Sequence, residues 1–381
     1  MIIHKMIASL LFLSSLLSNT AGVNYTNQAG LKDSIYTYTH KNELISTKFE
    51  GIVSDYVWSE SEEFDISKTA IVEKEKDKDF KVLLFSDVHF SDFHIQRAIE
   101  SNHEIITMHN LVKKTKPDLI LVLGDIVCER STVHAIKRFT DVMEAFNIPW
   151  APVFGNHDDE GNCDLNYLAD IMMNSPHCLM KKGDASMGVG NYIVNVVEKD
   201  SKNIVESFIM MDSHHNAVNE LQMKWFKWAA EGIKKYSDNK AEISICQHIP
   251  IPEYQYAIDK LEINKMNKVI GKDAFGRIGE TICCERDLDG NPVQRGFFDI
   301  IKSTANTKNF FVGHDHLNNF SVMYDGVRLT YNTKCGTNSG SNLLINGGTL
   351  LTISDTGLKS ITQKSRFLFV DYDLYTVKID K

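Results

Sequence analysis

Apolar and polar positions follow two periods along this chain, and the switches between them mark its elements. Lys81-Val82-Leu83-Leu84-Phe85-Ser86 reads as a buried strand, and Asp87-Val88-His89 follows at once. The pattern then predicts a helix within 94–114, a strand over 119–123, a helix over 133–146 and a strand over 150–154. This βαβα rhythm specifies an α/β sheet with helices packed outside it. Residues 159–190 form an irregular excursion with a short helix at 165–173, and strands return at 192–197 and 208–211. A helix over 220–236 carries Leu221, Trp225, Trp228 and Ile233 as a core-facing stripe. Strands follow at 243–246, 310–312, around Val322, at 327–331 and at 350–353, and 367–379 reads as closing strands. Two prolines stiffen the loop at 249–254, and the Gly/Ser/Asn-rich stretch 335–348 reads as a loop near the strand ends.

The pattern divides the chain into a leader at 1–21, a strand-rich extension and linker at 22–79, a catalytic domain at 80–353 and closing strands at 354–381. In the leader His4 and Lys5 precede an apolar run at 6–17 with small residues behind it, the layout of a signal peptide cleaved near Ala21. About 12 apolar residues are too few to span a bilayer. The expectation is therefore a soluble mature protein, secreted or in the secretory lumen. The run Glu73-Lys74-Glu75-Lys76-Asp77-Lys78-Asp79 alternates in sign and reads as a solvated hairpin or linker. Asn24-Tyr25-Thr26 and Asn319-Phe320-Ser321 are glycosylation sequons.

Composition narrows the partners. The 381 residues are 43% hydrophobic and 24% charged with a formal net charge of −9, ordinary for a globular chain and without the basic surplus that a nucleic-acid backbone requires. A small phosphorylated substrate, or a phosphoprotein, stays compatible if bound cations supply the positive charge locally.

Chemistry gathers just past the strands. Asp87 and His89 follow the first, Gly124-Asp125 the second, Gly155-Asn156-His157-Asp158 the third, and His248 and Gly313-His314-Asp315-His316 follow later ones. This is where open α/β sheets place their sites. A single histidine there is usually a hydrogen-bonded loop residue, and Gly-Asn is a common turn. The whole set of carboxylate, amide and imidazole donors reads instead as a two-metal site.

The order Asp-x-His, Gly-Asp, Gly-Asn-His-Asp, lone His, Gly-His-x-His resembles the calcineurin-like metallophosphoesterases over about residues 81–353. The stretches 248–254 and 313–318 and the surroundings of Ile282-Cys283-Cys284 are similar to the purple acid phosphatase-like branch of plants and fungi. The resemblance implies a four-layer α-β-β-α sandwich of two mixed sheets. It also implies that Asp87, His89 and His316 hold one metal, that Asn156, His248 and His314 hold a second, and that Asp125 bridges them. His157 matches the family's histidine that assists the leaving oxygen. The implied reaction is phosphomonoester hydrolysis by a metal-bound hydroxide, with phosphodiesters or nucleotides as alternative substrates and a catalytically silent phosphate-binding member as a further one. Asn156, His157, His215 and Glu253 are candidate substrate contacts, and Asp158, Asp212 and His214 candidate supports. Purple acid phosphatases carry a metal-binding tyrosine where this chain has Cys128, so a coloured tyrosinate site is not expected. Iron, zinc or manganese, in divalent or mixed-valence pairs, all suit these donors.

Seven cysteines leave one unpaired in an oxidising compartment. A bridge between Cys163 and Cys178 would brace the excursion, and Cys283 or Cys284 could join Cys335. Cys246, within a buried strand, should stay reduced, and Cys128 should be a buried thiol near the first metal without binding it.

Overall fold

The computed structural model describes residues 48–92, 95–128, 133–304, 306–337, 346–367 and 370–379. The leader, Asn24 and most of the loop at 335–348 lie outside them. After β1 (Ala70–Lys74) come β2 (Phe80–Phe85), α1 (Ile95–Thr115), β3 (Leu119–Leu123), α2 (Val133–Ala145), β4 (Trp150–Val153) and α3 (Leu165–Met173). Then follow β5 (Tyr192–Glu198), β6 (Ile204–Met210), α4 (Glu220–Tyr236), β7 (Glu242–Cys246) and α5 (Glu253–Asp259). The short strands β8 (Glu262–Ile263), β9 (Val269–Ile270) and β10 (Ala274–Phe275) precede α6 (Phe297–Ser303). Last are β11 (Thr307–Val312), β12 (Ser321–Tyr324), β13 (Val327–Tyr331), β14 (Gly347–Ser354), β15 (Gly357–Phe367) and β16 (Val370–Lys378).

Two mixed sheets carry the fold. One has six strands in the order β16-β15-β14-β2-β3-β4, with β2, β3 and β4 parallel and β14 antiparallel to β2. The other has eight in the order β1-β5-β6-β7-β11-β13-β12-β10, with β6, β7, β11 and β13 parallel. Period-2 alternation decides which core each side chain joins. In β6, Phe208 and Met210 belong to the core shared by both sheets and α1–α3, whereas Ile209 lies under α4–α6. In β11, Phe311 takes the first side and Phe310 and Val312 the second. The result is the four-layer α-β-β-α sandwich.

The α4 stripe faces the outer core, with Trp225 and Ile233 buried and Leu221 and Trp228 packed at its edge. Asn219 and Gln222 close a reciprocal capping box at its start.

Several expectations need correction. Of the hairpin and linker readings of the charged run at 73–79, the linker holds, because β1 pairs with β5 in one sheet and β2 with β3 in the other, so the run crosses between sheets. Lys74 within it is buried and ion-paired to Asp355. Strand β15 escapes a hydrophobic reading because, beside the buried Leu358 and Ile361, its other buried side chains are the polar Thr362, Gln363 and Ser365. Gln363 is fully buried there, donating from Nε2 to the Tyr331 carbonyl (2.8 Å) and accepting from Thr349 Oγ1 (2.9 Å), which ties β13 of one sheet to β14 of the other. Asn319 is buried and accepts the Arg277 N–H (2.9 Å), so the folded chain does not present that sequon.

All seven cysteines are free thiols, and neither expected bridge is present. Cys163 and Cys178 flank the nine-residue α3 and join different main-chain bridges, Cys163 with Phe49 and Cys178 with Trp150. Burial pushes their thiols up to about 11 and about 12. Cys335 is buried against Ser86, whereas Cys283 is exposed beside Asp315. Cys246 is buried and reduced as expected.

Candidate metal centre

The donors come from the C-terminal ends of β2, β3, β4, β7 and β11, which converge on one rim of the sandwich. Asp87, His89 and Asp125 adopt left-handed backbone, with φ of 52°, 54° and 50°, and His314 has φ 76°. Non-glycine residues seldom hold this region unless their surroundings over-determine it. Main-chain bonds do so here: Asp87 N donates to Gly124 O (3.0 Å) and His89 N to Asp125 O (2.9 Å). The neighbouring glycines are steric requirements. A Cβ at Gly155 would lie 2.2 Å from Asp125 Oδ1, and one at Gly124 would lie 2.5 Å from His248 Nδ1.

Three groups of close-set ligand atoms result among the described residues, two of them built from these donors and a third from Cys283, His314 and Asp315. Asp87, His89, Asp125 and His316 form one of the two, and Asp125, His248 and His314 the other. Asp125 belongs to both through Oδ2, which lies 3.5 Å from His89 Nε2 and 3.2 Å from His248 Nε2. His248 Nδ1–H donates to the Leu123 carbonyl (2.8 Å), which fixes the ring and aims Nε2 at the carboxylate. His89 Nε2 is 3.1 Å from His316 Nε2, and His248 Nε2 is 3.3 Å from His314 Nδ1. At such separations ring lone pairs repel unless a proton or cation lies between them.

The donor set fits a pair of cations. Asp125 Oδ2 and Asn156 Oδ1 are buried and accept no hydrogen bond, a costly state for oxygens that a metal would satisfy. Imidazole, carboxylate and amide donors suit zinc, manganese or iron.

Electrostatics agree with this reading. Burial pushes the Asp87 and Asp125 carboxyls up, but facing imidazoles outweigh it, His316 at Asp87 and His248 at Asp125, and hold both below the usual range. Burial, with the Lys334 charge, pushes His89 well below 6.5, leaving the neutral ring that a ligand needs. For His248 burial acts downward, yet Asp125 and Asp87 overcome it and the ring is raised to about 10. A metal must displace that proton. Binding at this position should therefore strengthen with pH, by about tenfold per unit below about 10, with proton release. Calorimetry of zinc binding in buffers of different ionisation enthalpy checks this, and pH-independent affinity would contradict it.

His157 stands beside the cluster. Its N–H donates to Asp125 Oδ1 (3.0 Å), its Nδ1 pairs with Glu160 Oε1 (2.7 Å), and its side chain is 38% exposed. Burial lowers its pKa, but the Asp125 and Glu160 charges outweigh that and raise it above 6.5. Asp158 accepts from Gly155 N (2.7 Å) and Val127 N (2.8 Å), clamping the loop beneath Asp125. Burial and the Asp125 charge push its carboxyl up to about 7. Cys128 is buried with Sγ 3.5 Å from the His89 carbonyl, near the first group but outside it.

Other candidates separate. Asp212 and His214 are held in a network around the α4 cap, with His214 Nε2 3.0 Å from Gln222 Oε1. His215 is exposed and lies 3.4 Å from Asp159. Glu253 does not join the cluster. It is buried at the start of α5, bonded to Gln294 (3.0 Å), beside a cavity of about 30 Å³ that none of the seven candidate ligands lines. Sequence reasoning passed over Glu160, which a three-residue spacing from His157 could have flagged, and Lys334, for which no sequence signal exists.

Two sheets meeting at a rim of strand-end Asp, His and Asn donors define a metallophosphoesterase. The chain belongs to the calcineurin-like phosphoesterases, whose family model matches residues 80–275. It is similar to Phosphatase DCR2 of Saccharomyces cerevisiae, 24% identical over 277 residues, covering 65% of this chain and 46% of that protein. The chain thus spans less than half the length of that relative. It is also similar to Probable inactive purple acid phosphatase 28 of Arabidopsis thaliana, 25% identical over 284 residues, covering 67% of this chain and 70% of the relative. Among solved structures, a dimetal phosphatase from Danio rerio aligns at a TM-score of 0.46 and 11% identity, over 77% of this chain and 98% of the other. Among the described residues no helix is long and apolar enough to cross a membrane.

Proposed function

We propose that this chain is a dinuclear-metal phosphatase acting on phosphomonoesters. The observation that carries the reading is Asp125, whose Oδ2 is shared by both ligand groups while Oδ1 holds the half-exposed His157. In this reading Asp87, His89 and His316 hold the first cation, Asn156, His248 and His314 the second, and Asp125 both. When bound, such a pair supplies Lewis-acid activation of water and neutralises phosphate charge. The protein's own groups do the rest. Because Glu160 engages His157 Nδ1, the other ring nitrogen can carry a proton to the leaving oxygen. Asn156 Oδ1, buried without a hydrogen-bond partner, would meet the second cation, and its amide nitrogen would then serve a phosphate oxygen. Exposed His215 stands on the loop after β6 as a candidate substrate contact.

The family implies phosphoester substrates, and a relative named as a phosphatase supports the monoesterase choice. Relatives named as probable inactive purple acid phosphatases motivate a second reading, a phosphate binder without turnover. The complete donor set favours catalysis. The deciding experiment loads the purified chain with zinc, manganese or iron and compares an aryl phosphate monoester with the matching diester. Faster monoester hydrolysis is expected. Faster diester hydrolysis would make the chain a diesterase, and phosphate binding without turnover would establish the silent reading. A secretory location, the reading of the apolar run at 6–17, is tested by the N-terminal sequence of the mature chain.

A further inference from the structure

Lys334 follows β13 and is 1% exposed. Its Nζ donates to the main-chain carbonyl of Asp87 at 2.8 Å. Gly336 N approaches the same oxygen at 3.3 Å, and Cys335 N donates to Ser86 O at 3.0 Å, so the segment 334–336 is sutured along the turn that carries Asp87. That turn holds aspartate at φ 52°, a conformation costing about 1–3 kcal/mol that persists only where bonds over-determine it. The Asp87 N–H is fixed by Gly124 and its Oδ1 by His314 N (3.1 Å), which leaves the carbonyl, and hence the tilt of the following peptide, to Lys334 and Gly336.

A buried ammonium beside a cation site raises the opposite expectation, repulsion of the metal. Three carboxylates act against it, and the bond the ammonium makes runs to the turn rather than to the ligand atoms. Glu104 is fully buried, with Oε1 taken by Thr337 N (2.6 Å) and Oε2 lacking a hydrogen-bond partner, and its charge acts on Lys334 together with those of Asp87 and Asp125. These three carboxylates offset part of the cost of burying the ammonium, although burial still outweighs them and lowers its pKa, and its directed contact is the Asp87 carbonyl.

We propose that Lys334 is a positioning residue for the first metal, locking the left-handed turn that aims the Asp87 carboxylate at the cation. This rests on Asp87 being a ligand of that metal. Losing an outer partner of a ligand typically weakens metal affinity by about 10- to 100-fold.

The test titrates zinc into the chelator-stripped protein, with Asp87→Asn and His248→Ala identifying the first and second binding steps. Lys334→Met should weaken the first step by about 10- to 100-fold and leave the second unmoved. Turnover of an aryl phosphate should fall at limiting zinc and recover at saturating zinc. Lys334→Gln, neutral and too short to reach, should do the same and serves if the methionine variant does not fold. An unchanged or tighter first step overturns the proposal, as does equal loss of both steps, which would mark a merely structural role. If Asp87→Asn itself keeps both metals, the ligand reading falls and the proposal with it. If Asp87→Asn loses the first metal and neither Lys334 variant weakens it, only the role of Lys334 falls.

Discussion

Asp125→Ala should empty both metal positions together and reduce phosphoester turnover to background. Its Oδ2 lies 3.2 Å from His248 Nε2 and 3.5 Å from His89 Nε2, so one substitution removes a donor from each group. The loss should exceed the about 10- to 100-fold weakening that follows removal of a ligand's outer partner. It should also exceed that of Asn156→Ala or His248→Ala, which take a donor from the second position alone. The variant further frees the His157 N–H, now bonded to Oδ1, and loosens the loop that carries the proposed acid. Metal content per chain, measured beside turnover, separates the cases. A variant that kept one metal would show that the carboxylate is not shared.

His157→Ala should behave differently, retaining both metals while kcat falls by about 10²- to 10⁴-fold, the range for lost general acid catalysis. The ring belongs to neither ligand group, although it packs against the His89 ring with centroids 5.5 Å apart, and its exposure lets a substrate reach it. Leaving groups report the role. An alkyl phosphate, whose alkoxide needs a proton as it departs, should lose more than an aryl phosphate, whose phenolate departs readily. Equal losses would reduce His157 to a phosphate contact, and loss of metal would make it a ligand.

The strands and helices nearest the metals were legible because their side chains are apolar and end abruptly in Asp, Asn or His. Leu119–Leu123 is buried throughout and stops at Gly124-Asp125, and α4 announces itself by its stripe. What stayed hidden depends on pairing across the fold. Strand β15 reads as polar because Gln363 and Ser365 are buried and find partners elsewhere in the fold, Tyr331 on β13 and Asn346 just before β14. Helices α5 and α6 have seven residues each, too few to display a period. The convergence of Asp87 with His316 needs a sheet order that brings β2 and β11 to one rim, and sequence spacing does not contain it. Lys334 illustrates the limit. It sits in a loop of small polar residues, and only its burial against a carbonyl 247 positions away gives it meaning. The disulfide expectation failed for a related reason, since fifteen residues of chain say nothing of Cys163 pairing its backbone with Phe49 and Cys178 with Trp150.

The proposed metal donors are split between the sheets: Asp87, Asp125 and Asn156 stand at the ends of β2, β3 and β4, and His248, His314 and His316 at the ends of β7 and β11. A cation held by donors from both is therefore a rivet driven through the seam of the sandwich. Gln363 stitches the same seam, yet one neutral amide is a weak fastening beside two ions. Stripped of metal, the rim should gape while the middle of the sandwich stays shut, with amide hydrogens at 86–89 and 312–316 exchanging faster and those of β3 and β6 unchanged. Uniform acceleration across every strand would mean that the rivet holds the whole sandwich rather than its lip.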